Sequence, residues 1–509
     1  MNPSRQLIWL KRDLRLTDHA PLVEAAQRGE VAWLYIVEPE LYQQPDGSNR
    51  HWQVVRDALL TLQEDIQRLG GELCIKVGDA VGVLEWIYQT WGEFQLWSHE
   101  ETGNAWTYRR DQAVLAWCKS HRVDWHECPA NGVVRRLQSR DEWAQIRQHR
   151  MVIFPLAIPS SMRLASPIPS DPIPSRDDPR LGKVWPRTIQ PGGGRRAHQL
   201  LDSFLSHRSR QYLFHISKPG MVSATHCSRL SPHIALGTIS IREAVHATAN
   251  TMATLYRANT PSDHSHIRHL DAFLSRLAWR CHFVQKLEQQ PSIETQCIHP
   301  AFEGMRPHPG PTEWLQAWQT GHTGYPIIDA CMRSLIETGW LTFRMRALLV
   351  SFASYHLWLD WRETAPYLAQ LFTDYEPGIH YPQFQMQSGV TGMNAIRMYH
   401  PTKQSIEHDP KGQFMRRFIP ELASVPDVYL HEPSRWSGQT QYPPPIVDHA
   451  TAMRIARDHI AQRRQLDGFK QDAKAMFQRL GSRKRSSASS KSNRSVLADG
   501  QQLSLFGHD

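Results

Sequence analysis

The spacing of hydrophobic positions changes character twice along the chain. Over residues 1–130, short apolar runs alternate with amphipathic stretches. "LIWL" (Leu7–Leu10), "VAWLYIV" (Val31–Val37), "ELCIKVG" (72–78) and "FQLWSH" (94–99) have the length and near-continuous apolarity of buried strands. Pro21–Arg28 and Trp52–Leu69 between them read as helices. Strands alternating with helices predict a parallel sheet with helices on its faces, binding at the carboxyl ends of its strands. No G-x-G-x-x-G follows the first strand, so a dinucleotide site in this half has no local support. Over residues 131–200 the periodicity fades into "FPLAIPSSMRLASPIPSDPIPSRDDPR" and "QPGGGRR", an ordered connector or surface wrap. Residues 201–480 then carry long helical patterns with few strand signals, and 481–509 begin as "GSRKRSSASSKSNRS", a basic, Ser-rich tail expected to stay disordered.

Three segments of the helical half carry candidate chemistry. In "IRHLDAFLSRLAWRCHFVQKL", Ile267, Leu270, Leu274, Leu277, Cys281 and Val284 mark one buried helical face. Phe273, Arg276, Trp279, Arg280 and Phe283 form a second stripe, suited to stacking a base or ring while neutralising phosphate; an exposed helix with snorkelling arginines is the plainer alternative. In "THCSRLSPHIALGTIS", Ser228 and Ser231 precede an apolar run, with Pro232 in the first helical turn. That is a pattern for an anion site at a helix N-terminus, or for simple capping. In "TGYPIIDACMRSLIETGWLTFRMRALLVSFASYHLWLDWR", Arg344 and Arg346 sit beside Trp340 in a stretch apolar enough for a core, where arginines require carboxylate or phosphate partners. "LFTDYEPGIHYPQFQMQSGVTG" (371–392) supplies Asp374, Glu376 and His380 close downstream. One salt bridge explains one arginine; two arginines, two acids and a histidine point to a polar ligand as well.

Composition narrows the class. At 509 residues, 40% hydrophobic and 21% charged, the chain is an ordinary globular protein of two or three domains. The excess of 58 Lys and Arg over 49 Asp and Glu gives +9 and a pI near 9.2, which favours a polyanionic partner. Seven cysteines, Cys74 to Cys331, contain no C-x-x-C and no zinc-like spacing. Reduced thiols are expected, with no metal and no iron–sulfur cluster. No secretory signal is visible, and the longest apolar run, "ALLVSFASYHLWL" (347–359), is too short for a span and ends at Asp360. A soluble intracellular protein is expected.

The motifs occur together in a familiar order. "LIWLKRDLRLTDHAPL", "SRLSPHIALGTIS", "AWRCHFV", "TGYPIIDACMR", "GWLTFRMR", "LWLDWR" and "HPTKQS" resemble the blocks of the DNA photolyase and cryptochrome flavoprotein family over about residues 5–430. The resemblance implies an α/β Rossmann-like antenna domain with a parallel sheet (1–130), a connector, and an all-α domain (201–480) that holds FAD in a bent form. It places Asp374 at the polar edge of the flavin, paired with Arg346 and next to Glu376. Ser228, Leu230 and Ser231 match the phosphate-binding block, with Cys227 in place of its usual Thr, and Arg280, Trp340 and Tyr212 match further lining positions. Trp279 matches the tryptophan that stacks on a pyrimidine dimer; Arg344 and Arg397 match positions near DNA phosphates, with Lys403 added as a third.

The implied activity is light-driven splitting of pyrimidine dimers in UV-damaged DNA, of the cyclobutane type before the 6-4 type. A cryptochrome-like blue-light sensor without repair activity is the alternative. The departures from the family pattern bear on that choice. Arg276 stands where a dimer-binding Glu is usual, Phe343 where an Asn is common, and His380 replaces the Asn that faces flavin N5. Phe384 and Met386 replace the two aromatics of the usual "WQW" or "WQY". Phe384 would be a deficient first step of the electron relay, while Trp361 survives at the next. "SHEETGNAWTYRRDQAV" aligns with the antenna loop but lacks its Asn-Glu pair, leaving a deazaflavin, a flavin or no second chromophore. Near the end, "QLSLF" (Gln502, Leu503, Leu505 and Phe506) resembles the peptide by which bacterial repair proteins dock on the replication sliding clamp. A monomer in the bacterial cytoplasm, associated with the nucleoid, is expected.

Overall fold

The computed structural model describes residues 4–130, 132–185 and 190–482; Gln502–Phe506 and the rest of the basic tail lie outside them. Five parallel strands, β1 (Arg5–Leu10), β2 (Glu30–Val37), β3 (Leu73–Val77), β4 (Gln95–His99) and β5 (Trp125–Cys128), are ordered β3-β2-β1-β4-β5. Side chains of β1 and β2 point alternately into two cores. Ile8, Leu10 and Trp33 pack on one face of the sheet, and Leu7, Trp9 and Leu34 on the other. Burial on both faces is why these strands read as continuous apolar runs. β5 gave no such run because it is a sheet edge, four residues long and only partly covered, with polar His126 and Glu127 inside it.

The connector contributes to the sheet. β3 pairs with β2 only from Trp33 onward, which leaves the backbone of Glu30 and Val31 open on that side. A sixth strand, β6 (Arg163–Leu164), fills that gap in parallel. A two-residue strand in a Pro-rich stretch has no periodicity to betray it.

The helical half is built around the Pro261–Gln289 helix, which starts with Pro261 in its first turn and a reciprocal Thr260–Asp263 cap. Ile267, Leu270, Leu277, Cys281 and Val284 are buried, as the period required, while Leu274 of the same face is only partly buried. The Pro377–Gln387 helix lies against it at very close range, because Gly378 has no side chain: a Cβ there would sit 2.7 Å from Val284 Cα. The long apolar run forms the Phe343–Ser351 helix and the wide turn Phe352–His356, buried in the core. Among the described residues no helix is long and apolar enough to cross a membrane.

The tip of β1 locks the two halves together. Arg12 donates to the carbonyls of Ala235 and Tyr375 at 3.0 Å each, Leu14 N–H donates to Leu236 O at 3.2 Å, and Arg15 donates to Gly237 O at 3.1 Å. Gly237 is required here: its φ is +64°, and a Cβ would fall 2.3 Å from Arg12 O.

Gly378→Ala should lower the urea midpoint of unfolding by the equivalent of about 1–3 kcal/mol, the usual cost of forcing atoms into a filled contact. An unchanged midpoint would mean that the two helices separate without cost.

Candidate functional site

A cavity of about 330 Å³ opens in the helical half. The Pro261–Gln289 helix contributes Arg276, Trp279 and Arg280 to its wall. The 227–231 segment brings Ser228, Arg229, Leu230 and Ser231, and the stretch from 340 to 350 brings Trp340, Phe343 and Arg346. Asp374, Glu376, His380 and Phe384 line it from the loop and helix around Pro377, and Tyr212 lines it as well. Phe273 and Phe283 are buried on the same wall, so the cation–aromatic stripe of the long helix faces an interior cavity, not open solvent.

Arg346 and Asp374 form a two-pronged ion pair, with both N–H···O distances at 2.9 Å. Burial pushes the Asp374 carboxyl up, but Arg346 and a hydrogen bond from Ser231 outweigh it and hold the carboxyl below its ordinary range. Glu376 accepts from Arg280 at 2.8 Å, with Arg12 from the β1 tip at 3.5 Å on the same oxygen. Among the described residues its other oxygen, Oε1, has no partner. Five more buried polar atoms on these walls lack a partner among the described residues: Arg276 Nε, Arg280 Nη1, Thr342 Oγ1, Gln383 Oε1 and Gln387 Nε2. Six unmet donors and acceptors around one cavity are the mark of a site shaped for a polar, ring-sized ligand, since buried polar groups are otherwise paired.

His380 donates from Nε2 to the carbonyl of Ala365 at 2.9 Å, which fixes the neutral tautomer and leaves Nδ1 as its open nitrogen. Enclosure lowers its pKa to about 4, so the ring is neutral at pH 7. Phe384 is buried with its ring 5.2 Å from His380. Trp361 is fully buried behind this wall, 6.4 Å from the Tyr381 ring, and does not line the cavity.

The phosphate-like segment differs from its helix-terminus reading. The helix after Ser228 is the single turn Ser231–Ala235, with no side-chain cap, too short for a strong dipole. What the segment offers instead is Arg229, which the sequence reading passed over within "SRLSP". Its φ is +62°, its guanidinium lies 4.1 Å over the Trp340 ring, and burial lowers its pKa to about 10. An anion held there would relieve that burial.

Arg344, Arg397, Met386 and Lys403 lie outside the cavity wall. The Arg344 guanidinium is 5.6 Å over the Tyr399 ring, near Arg397, next to the wall residue Phe343, and Lys403 is exposed on the Pro401–His408 helix.

Comparison with known proteins decides the family. A model for the FAD binding domain of DNA photolyase matches residues 273–462, and a DNA photolyase model matches residues 6–142; together they span well over half of the chain. The chain belongs to the DNA photolyase/cryptochrome family. It is 27% identical over 490 residues to the deoxyribodipyrimidine photo-lyase of Alkalihalophilus pseudofirmus, covering 88% of this chain and 96% of that one. Its fold matches a bacterial class III photolyase from Agrobacterium tumefaciens with a TM-score of 0.75, at 24% identity over 92% of this chain and 99% of that one. It also matches a Synechocystis cryptochrome with a TM-score of 0.77, at 20% identity over 90% and 99%. The two architectural parts of this photolyase-family chain are thus the parallel α/β domain and the helical FAD-binding domain.

The walls suit that cofactor. The Arg346–Asp374 pair and a neutral imidazole offer partners for a ring's polar edge, Arg229 and Ser228 offer partners for a pyrophosphate, and apolar Leu230, Trp340 and Phe372 line the same cavity.

Two predictions follow from these charges. His380 binds its proton less well folded, near pH 4, than unfolded, near pH 6.5; so do His51 and His233, which burial also lowers to about 4. The unfolded state therefore takes up protons first, and stability, greatest above pH 6.5, should decline as the pH falls from 6.5 toward 4. The urea midpoint should drop over that window, less steeply in His380→Asn, and a flat profile would contradict the assignment of neutral imidazoles. Arg346→Met should cost about 3 kcal/mol, near the low end for stranding a buried carboxylate because Arg346 keeps some exposure. The same variant should bring steep flavin loss in equilibrium dialysis; full occupancy would remove the ion pair from the site.

Proposed function

We propose that this chain is a light-dependent DNA-repair lyase that holds FAD in the 330 Å³ cavity and splits pyrimidine dimers, most specifically cyclobutane dimers in UV-damaged DNA. The observation that carries the reading is the set of six unmet buried polar atoms around the Arg346–Asp374 pair, in a chain of this family. When bound, reduced FAD supplies the light-absorbing electron donor that breaks the dimer and takes the electron back.

The chain's own residues do the rest. Arg346, between Asp374 and the apolar Phe372 ring at 4.1 Å, is a fixed cation suited to balancing negative charge on a reduced ring. Neutral His380 offers an acceptor lone pair and excludes a mobile proton near pH 7. Trp279, half-buried on the cavity wall and 5.6 Å from Phe283, presents an indole for an extruded dimer to stack on, and Arg276 on the same wall supplies a positive charge toward the DNA. Arg344, Arg397 and Lys403 would steer the phosphates without reading sequence.

A cryptochrome-like sensor is the second reading. It is favoured by redox-inert Phe384 at the position nearest His380.

Illumination of the reduced, FAD-loaded protein with dimer-containing oligonucleotides separates the two. Repair should require blue light, and Trp279→Ala should lower the rate roughly 5- to 150-fold, the worth of one base–aromatic stack. Equal dimer loss in darkness and in light, or none with FAD bound, would refute the repair reading.

A further inference from the structure

Phe384 raises the question of where an electron could come from if the cavity holds an oxidised flavin, and the surroundings of His380 supply a candidate. Two tyrosines flank that imidazole, with ring centroids 5.4 Å (Tyr375) and 5.3 Å (Tyr381) away. Both phenols donate to the same oxygen, Asp46 Oδ2, Tyr375 through a short bond and Tyr381 at 3.3 Å. Asp46 is 4% exposed and takes its third donor from Asn104 at 3.2 Å. Among the described residues no cation lies within salt-bridge distance of it. One carboxylate oxygen held by both phenols is placed to take a proton from either of them.

We infer that Tyr375 and Tyr381, with Asp46 as their shared base, form a redox-active pair that reduces the photoexcited oxidised flavin in place of the missing tryptophan. Tyr375 is the donor, since its hydrogen bond to Asp46 is the tighter one. It loses one electron, by way of the His380 edge, to the excited isoalloxazine ring, which is the oxidant. Its O–H bond breaks and the proton forms an O–H bond on Asp46. A neutral tyrosyl radical and a protonated carboxyl remain. An external thiol gives the radical a hydrogen atom and becomes a thiyl radical, and Asp46 releases its proton to solvent, so the net change is one electron and one proton from the thiol.

Proton transfer is what makes a tyrosine usable here. Burial and the Asp46 charge push the Tyr375 and Tyr381 hydroxyls far above the ordinary range, so neither ionises beforehand, and removing an electron without the proton would leave a buried phenol cation. Tyr381 supports the pair and links it to Trp361 at 6.4 Å.

The inference rests on FAD occupying the cavity, and the experiment keeps the two apart. Flash photolysis and freeze-quench EPR on the full-length, FAD-loaded oxidised protein, with thiol present, should show a neutral tyrosyl radical. Tyr375→Phe/Tyr381→Phe and Asp46→Asn should each slow photoreduction at least tenfold and abolish that radical with flavin content unchanged. Phe384→Trp in the double-Phe background should restore photoreduction, now through a tryptophanyl radical, which shows that the variant is folded and loaded. A tryptophanyl radical in the unaltered protein, or undiminished photoreduction in the double-Phe variant, overturns the inference alone. A chain that takes up no FAD overturns both this and the proposed function.

Discussion

A carboxylate beside an apolar cavity needs a cation from another part of the chain, and the short loop around Asp374 and Glu376 carries two of them. Arg346, on the Phe343–Ser351 helix, meets Asp374. Arg280, on the Pro261–Gln289 helix, and Arg12, from the tip of β1, meet Glu376 on one oxygen. Three separate elements therefore have to arrive before the loop can be buried. Removing Arg346 strands the Asp374 charge, at several times the cost of an exposed salt bridge, whereas Glu376 keeps one cation when either Arg280 or Arg12 is lost. The cavity is the space those obligations leave open. Its unmet atoms, Glu376 Oε1 and Arg280 Nη1 among them, are what remains of a network that the protein satisfies only in part.

How much of this was legible in the sequence follows from the physics of each element. β1 and β2 are buried on both faces, and the long helix around Leu277 keeps a strict period; both signals survive in the primary structure. β5 and β6 did not, since an edge strand with His126 and Glu127, and a two-residue strand that fills a backbone gap at Glu30, need no apolar pattern. At the cavity, two arginines in an apolar stretch, Arg344 and Arg346, announced themselves as a problem needing acids; Arg346 has one in Asp374, while Arg344 lies outside the wall over the Tyr399 ring. Arg229 was missed, because its significance lies in a left-handed backbone and a stacked indole, which the letters "SRLSP" do not encode. Asp46 is likewise invisible in isolation. Its partners Tyr375 and Tyr381 are more than three hundred residues away and meet it only across the seam between the two halves.

That seam gives the chemistry of the cavity its direction. His380 spends Nε2 on the Ala365 carbonyl and burial keeps it neutral, so it can accept a hydrogen bond but is a poor proton donor. An amide at that position could present either end. Fixing the tautomer therefore turns an adaptable contact into a one-way one, favouring a ligand that brings its own N–H. Phe384 packs 5.2 Å from the imidazole and adds volume without polarity or redox capacity. Near His380, the groups that can exchange charge are the two phenols, and their charge is tied to a proton on Asp46.

Coupling an electron to a proton across two domains has a structural consequence. Asp46 belongs to the sheet half and both tyrosines to the helical half, so the acceptor reaches its donors only when the β1 tip is seated and Arg12 holds the carbonyls of Ala235 and Tyr375. The same docking that fixes Glu376 thus also assembles the proton acceptor. A lone tryptophan would work in either arrangement of the halves, because an indole cation needs no base placed within hydrogen-bonding reach. A tyrosine does need one, and reduction of the cavity's ligand becomes conditional on an intact interface. Electron entry through this pair is therefore a property of the assembled two-domain chain, not of the helical domain alone.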